Sequence, residues 1–206
     1  MTRVPASHAS ARPDLRLRDC YGFFAPLVLM VELNMISKSA IHAFLARTET
    51  PDVTLAAFNA AFTFYFAMTS ATEVIVALSL SYLKSRADLA RLIGFMAALV
   101  AVPWSLTLLV IFTSLGDEIF GRWFGLSPQG QQEARLAMGM LALSPPVLLL
   151  RGTAFALLML NRQTMIITAS TLVRLATLAA WLFILPNWLS GAAVDAAALV
   201  LCMASE

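Results

Sequence analysis

The chain has 206 residues, of which 60% are apolar and only 13% charged, with a formal net charge of +2. Mean hydropathy is +0.80. A soluble enzyme domain or a disordered chain carries far more charge, roughly 25% in an average soluble domain, so both are excluded and an all-α, polytopic integral membrane protein is predicted.

Residues 1–19 are polar, carry Arg3, Arg12, Arg16 and Arg18, and read as a cytoplasmic tail. They do not have the short apolar core and small-residue cleavage site of a secretory signal. Six apolar stretches follow, near the ~20 residues that cross a bilayer. The predicted helices are about 20–46, 55–83, 92–115, 131–160, 164–186 and 191–206. They use up the chain and leave no soluble domain; the last is predicted to stop some 16 residues into its span, at Glu206.

Turn and charge residues separate the helices: Thr48 to Asp52, Lys84 to Asp88, the long loop Gly116 to Gly130, the tight turn Asn161-Arg162-Gln163, and Pro186-Asn187-Trp188. Within the long loop, EIFGRWFGL is short and amphipathic, as an interfacial segment is. Its Gly121 and Gly125 match a GxxxG spacing, but outside a span, where that motif carries little meaning. Cys20 and Cys202 suggest neither a disulfide framework nor a metal site, and His8 and His42 are too few for a histidine-built metal centre.

Basic flanking residues set the orientation. With the N-terminus inside, the inner flanks hold eight (Arg3, Arg12, Arg16, Arg18, Lys84, Arg86, Arg91 and Arg162) and the outer flanks three (Arg47, Arg122 and Arg135). Both ends are therefore expected in the cytoplasm, in a multi-pass protein of the inner (plasma) membrane. Trp123 and Trp188 then fall at the outer interface and Tyr21 and Tyr82 at the inner one, as an aromatic belt requires.

Charges inside the spans are the informative residues, because each costs roughly 2.5–3.5 kcal/mol at the bilayer centre. They are Glu32 and Lys38 in the first helix, Glu73 in the second, Arg151 in the fourth, Arg174 in the fifth and Asp195 in the sixth. At about 1.5 Å per residue, Glu32, Glu73, Arg151 and Arg174 fall in one layer on the cytoplasmic side, and Lys38, His42 and Asp195 in a second layer nearer the outside. Helical phase gathers Asn59, Thr63, Ser70, Glu73 and Ser81 on one stripe, Ser144 with Arg151 on another, and Thr164, Thr168, Thr171 and Arg174 on a third. The first helix is polar over a broad arc that includes Asn34, Ser37, Lys38 and His42. The expectation is that the first and second helices lie inside the bundle and the uncharged third faces lipid.

Each feature has a plainer reading. Ser and Thr stripes also join helices by hydrogen bonds of roughly 0.6 kcal/mol. Asp195 also suits the positive N-terminal end of its helix. Static ion pairs account for the charged layer as well as a binding site does. Pro26, Pro103, Pro145 and Pro146 fall within helices, and the last two free two carbonyls just before Arg151; such a bend either lines a cavity or is a passive kink. No phosphate loop, HExxH or serine-protease pairing occurs, nor a filter-like channel loop, so no enzyme and no channel is expected.

FFAPLVLMVELNMISKSAIHAFLAR, LAAFNAAFTFYFAM, the basic turn KSRADLARL, GLSPQGQQEARLAMGMLAL and SGAAVDAAAL together resemble the first lobe of a MATE-type exporter. The resemblance is to the bacterial branch near the progressive ankylosis protein, in the superfamily that holds polysaccharide and lipid II flippases, and it covers about residues 20–206. It implies one six-helix lobe of a two-lobe transporter that works by alternating access, coupled to H+ or Na+, with membrane lipid around it. It also implies a second six-helix lobe, or another copy, as partner, and no nucleic acid. An acid on the first helix often couples ions in this superfamily, and Glu32 resembles it. The site residues so predicted are Glu32, Asn34, Lys38, Asn59, Glu73, Arg151, Arg174 and Asp195, with no metal and no organic cofactor. The two arginines suit an organic anion. A lipid-linked polysaccharide flippase and a non-transporting scaffold remain as alternative readings.

Overall fold

In the computed structural model, which describes residues 17–48, 50–70, 74–82 and 86–206, every regular element is a helix. They run α1 Leu17–Leu45, α2 Pro51–Thr69, α3 Val74–Tyr82, α4 Arg86–Phe112, α5 Leu115–Glu118, α6 Pro128–Leu141, α7 Ser144–Leu160, α8 Thr164–Ile184 and α9 Ala192–Ala204. A π-helical turn, Ile119–Trp123, follows α5, and a 3₁₀ turn, Leu185–Asn187, follows α8. The N-terminal tail through Arg16, Glu73 and Lys84 lie outside the described residues, as does the side chain of Asn34.

The described residues contain four segments long and apolar enough to cross a membrane: Cys20–Leu45, Pro51–Tyr82, Ala90–Phe112 and Thr164–Asn187. A fifth is the pair α6–α7, if its two helices, bent by 41°, count together. The final apolar helix, α9, has 13 residues, about 20 Å of rise against a hydrocarbon core of about 30 Å.

Local chemistry explains the boundaries. Pro51 opens α2, where its missing N–H is no loss. Ser127 caps α6 by accepting from the Gly130 N–H at 3.2 Å, with Pro128 at the first helical position. Arg162, in the tight turn between α7 and α8, adopts a positive φ of 55°. Gly191 precedes α9 at φ 64°, ψ −150°, a region open to glycine alone.

The prediction of one continuous helix over 131–160 needs correction. α6 ends at Leu141 and α7 begins at Ser144, which places Pro145 and Pro146 in the first turn of a new helix, where proline is tolerated. The two carbonyls that these prolines cannot serve do not open onto a cavity. Leu141 O accepts from Ser144 Oγ at 2.7 Å, and Ala142 O accepts from the Trp104 indole at 2.8 Å. The bend is thus closed by a local hydroxyl and by a tryptophan from α4.

The core is built on α9. Residues 192 to 200 are all buried, most of them alanine and valine. They pack chiefly against α6, through Ala134, Ala137 and Met138, and against α8. Small side chains let these backbones approach closely, the usual basis of helix packing in an apolar medium. α2 enters the same cluster through Ala57, Phe58, Ala61 and Tyr65. A smaller cluster joins Ile75 of α3 to Leu92, Met96 and Val100 of α4, and Gly152 of α7 lies against Ile75, where a Cβ would stand 3.0 Å from it.

The expectation that the first helix is interior does not hold. Only 18% of the apolar window of α1 is buried, less than the 22% of α4, which carries no charge from Leu92 to Phe112. The reason is topological: α1 packs extensively on a single neighbour, α8, and Thr168 Oγ1 donates to Pro26 O across that seam at 2.8 Å.

Candidate functional site

A cavity of about 560 Å³ lies between α1, α2, α7, α8 and α9. Its α1 wall carries Ser37, Lys38 and His42, with Lys38 and His42 one helical turn apart. Opposite, Phe58, Phe62 and Phe66 follow one another at the same spacing along α2, with ring centroids 5.8 and 6.4 Å apart. Lys38 Nζ lies 5.8 Å from the Phe62 centroid and the Arg151 guanidinium 4.8 Å from that of Phe155, both within cation–π range. Asn59, Arg151 and Arg174 also line the cavity. Among the described residues of the lining none is acidic.

At one wall Arg151 and Arg174 meet a carboxylate that the sequence reading did not single out. Glu206 Oε2 lies 2.8 Å from Arg151 Nε, at ion-pair distance but off the N–H axis, and 3.4 Å from Arg174 Nη1. Glu206 Oε1 accepts from Thr171 Oγ1 at 2.8 Å. The Glu206 side chain is 0% exposed, and a buried carboxylate needs this kind of company. The Thr164, Thr168, Thr171 and Arg174 face of α8 is buried along its whole length, as its spacing predicts. Thr168 serves the helix seam and Thr171 serves the carboxylate.

The predicted residues therefore divide. Lys38, Asn59, Arg151 and Arg174 share the cavity. Glu32 does not: it is exposed on α1 and forms no ion pair with either arginine, so the proposed convergence of Glu32 on that layer fails. Matching depth brings two side chains together only if their azimuths also match, and the buried line of α1 runs through Leu33, Ser37 and Ile41 instead. Glu73 lies outside the described residues. Asp195 is fully buried in the first turn of α9, away from the cavity lining, and neither of its oxygens has a hydrogen-bond partner among the described residues. Of the stripe from Asn59 to Ser81, the described members Asn59, Thr63, Ser70 and Ser81 are all exposed, and Asn59 alone among them lines the cavity. Ser70 and Ser81 are exposed and bond back to Ala67 O and Ala77 O of their own turns.

Two signals for the missed residues were present in the chain. Glu206 lies 14 residues beyond Ala192, about 21 Å of helical rise, which is near the depth assigned to the arginines. Phe58, Phe62 and Phe66 repeat at four-residue spacing, the mark of a single helix face.

No family model, no curated protein and no solved structure matches this chain.

Proposed function

We propose that this chain is a six-span, membrane-embedded transport lobe that carries a small organic anion with an apolar or aromatic body. The observation that carries the reading is the cavity. Lys38, Arg151 and Arg174 line it, His42 beside them, against a wall of stacked phenylalanines. Cations attract the charged end of such a solute, and the aromatic face takes its body. A volume of about 560 Å³ fits the range of roughly 300–1,000 Å³ for small-molecule sites and favours a small solute over a lipid-linked glycan. Movement by alternating access with H+ or Na+ coupling, and an inner-membrane location with the N-terminus in the cytoplasm, complete the proposal.

The second lobe, or another copy, belongs to it too. Glu32 lies within an apolar helix on an exposed face, and a charge facing lipid there is costly. A partner covering that face of α1 would shelter it.

The test is uptake of labelled benzoate into proteoliposomes under an imposed proton or sodium gradient. Gradient-dependent uptake is expected, reduced at least about tenfold in Arg151→Gln, the scale of one lost charge-assisted contact. Uptake equal to that of protein-free vesicles, across a range of aromatic and aliphatic carboxylates and sulfonates, overturns the reading.

A further inference from the structure

We infer that Arg151, Arg174 and Thr171 form a carboxylate-binding subsite that the chain fills with its own Glu206, and that a ligand carboxylate in the cavity competes with Glu206 for the two arginines. The inference rests on the reading of the cavity as an anion site and adds how that site is regulated.

The geometry is that of a built receptor. One carboxylate meets two guanidinium groups through Oε2, at 2.8 and 3.4 Å, and a threonine hydroxyl through Oε1, at 2.8 Å. These are the partners a carboxylate needs out of water. The arginines are common to two environments. Both line the cavity, whereas Glu206 is not part of the lining and its side chain is fully buried. A cavity anion and Glu206 thus draw on the same two cations.

Competition has a thermodynamic consequence. Glu206 occupies donors of Arg151 and Arg174 that a ligand would use, and the apparent dissociation constant is raised by the inverse of the fraction of protein in which Glu206 has released them. The arginines in turn keep a counter-ion while the cavity is empty, which avoids stranding buried like charges. Glu206 is therefore a positioning residue for the arginines and a brake on premature anion binding.

The experiment is equilibrium binding of benzoate to the detergent-solubilised chain, with benzamide as the uncharged control. Glu206→Gln keeps the shape and removes the competing charge. Its affinity for benzoate should rise by about tenfold or more, with benzamide unchanged. Thr171→Val is the second variant. It is nearly isosteric, and it loosens the hold on Oε1 without altering any charge. It should raise benzoate affinity by about tenfold, the scale of one hydrogen bond to a charged group. If Glu206→Gln does not yield folded protein, Thr171→Val alone decides. Unchanged or weaker benzoate binding in the folded variants overturns the inference. A chain that shows the gain in binding but moves no benzoate across a membrane retains this inference and loses the transport reading. A chain that transports benzoate without the gain does the reverse.

Discussion

At the scale of single residues, the structure turns on how polar groups inside an apolar body find partners. Glu206 does so through two arginines and a threonine. The buried Tyr65 hydroxyl meets Ser144 Oγ across α2 and α7. Arg135 of α6 reaches Ile111 O in the last turn of α4 at 2.7 Å and Thr113 O just beyond that helix at 3.1 Å, and pairs with Asp117 at 2.8 Å. A cation at a helix C-terminus also suits the helix dipole. Trp104 gives the sharpest test. Its indole serves Ala142 O, which Pro146 cannot serve for want of an N–H. Trp104→Phe keeps an aromatic ring and removes the donor. It should cost about 1–3 kcal/mol, the penalty of an unsatisfied buried carbonyl, read as a lowered midpoint of unfolding in detergent. An unaltered midpoint would mean that the carbonyl finds another donor.

At the scale of elements, junctions decide more than helix interiors do. The start of α9 is held by two features that act together. Gly191 turns the chain with a positive φ, and Glu133 Oε2 of α6 accepts from the Ala192 N–H at 3.3 Å. A carboxylate at that end satisfies a free donor and meets the positive pole of the helix. The same closeness leaves no room: a Cβ on residue 191 would stand 2.7 Å from Glu133 Oε2. Gly191→Ala is therefore expected to destabilise the protein by about 1–3 kcal/mol through strained backbone, with a further loss from the displaced cap. Because α9 is the centre of the core, the variant should unfold cooperatively at lower denaturant rather than fray locally. A variant as stable as the parent would show that the turn relaxes freely.

At the scale of the whole molecule, the contact of Glu133 with Ala192 puts the beginnings of α6 and α9 at one end. Trp123, 74% exposed, and Trp188, 79% exposed, lie just before these two helices. The turn at Arg162 falls at the far end of α7. With the orientation proposed from the basic residues, a membrane-impermeant maleimide applied to intact cells should label Trp123→Cys and Trp188→Cys and miss Arg162→Cys. Labelling of Arg162→Cys alone reverses the orientation. Labelling of one tryptophan position without the other contradicts the shared end.

Composition and periodicity were enough for the helical class, for most element positions and for the buried threonine face of α8, because these depend on local chain properties: hydropathy over a window and a period of 3.6 residues. The break at Ala142–Leu143 was legible only as a pair of prolines. Whether the freed carbonyls would line a cavity or be capped depended on Trp104, 38 residues away. Position along a helix axis is readable from a sequence, since it follows from rise per residue. Azimuth was not, because the direction in which a helix turns its polar side chains is set by the neighbours it packs against. That is why Arg151 and Arg174 do share one wall while Glu32 lies elsewhere, why α1 is peripheral, and why an acid that meets both arginines among the described residues is Glu206, which only the packing of α9 against α7 and α8 brings to them.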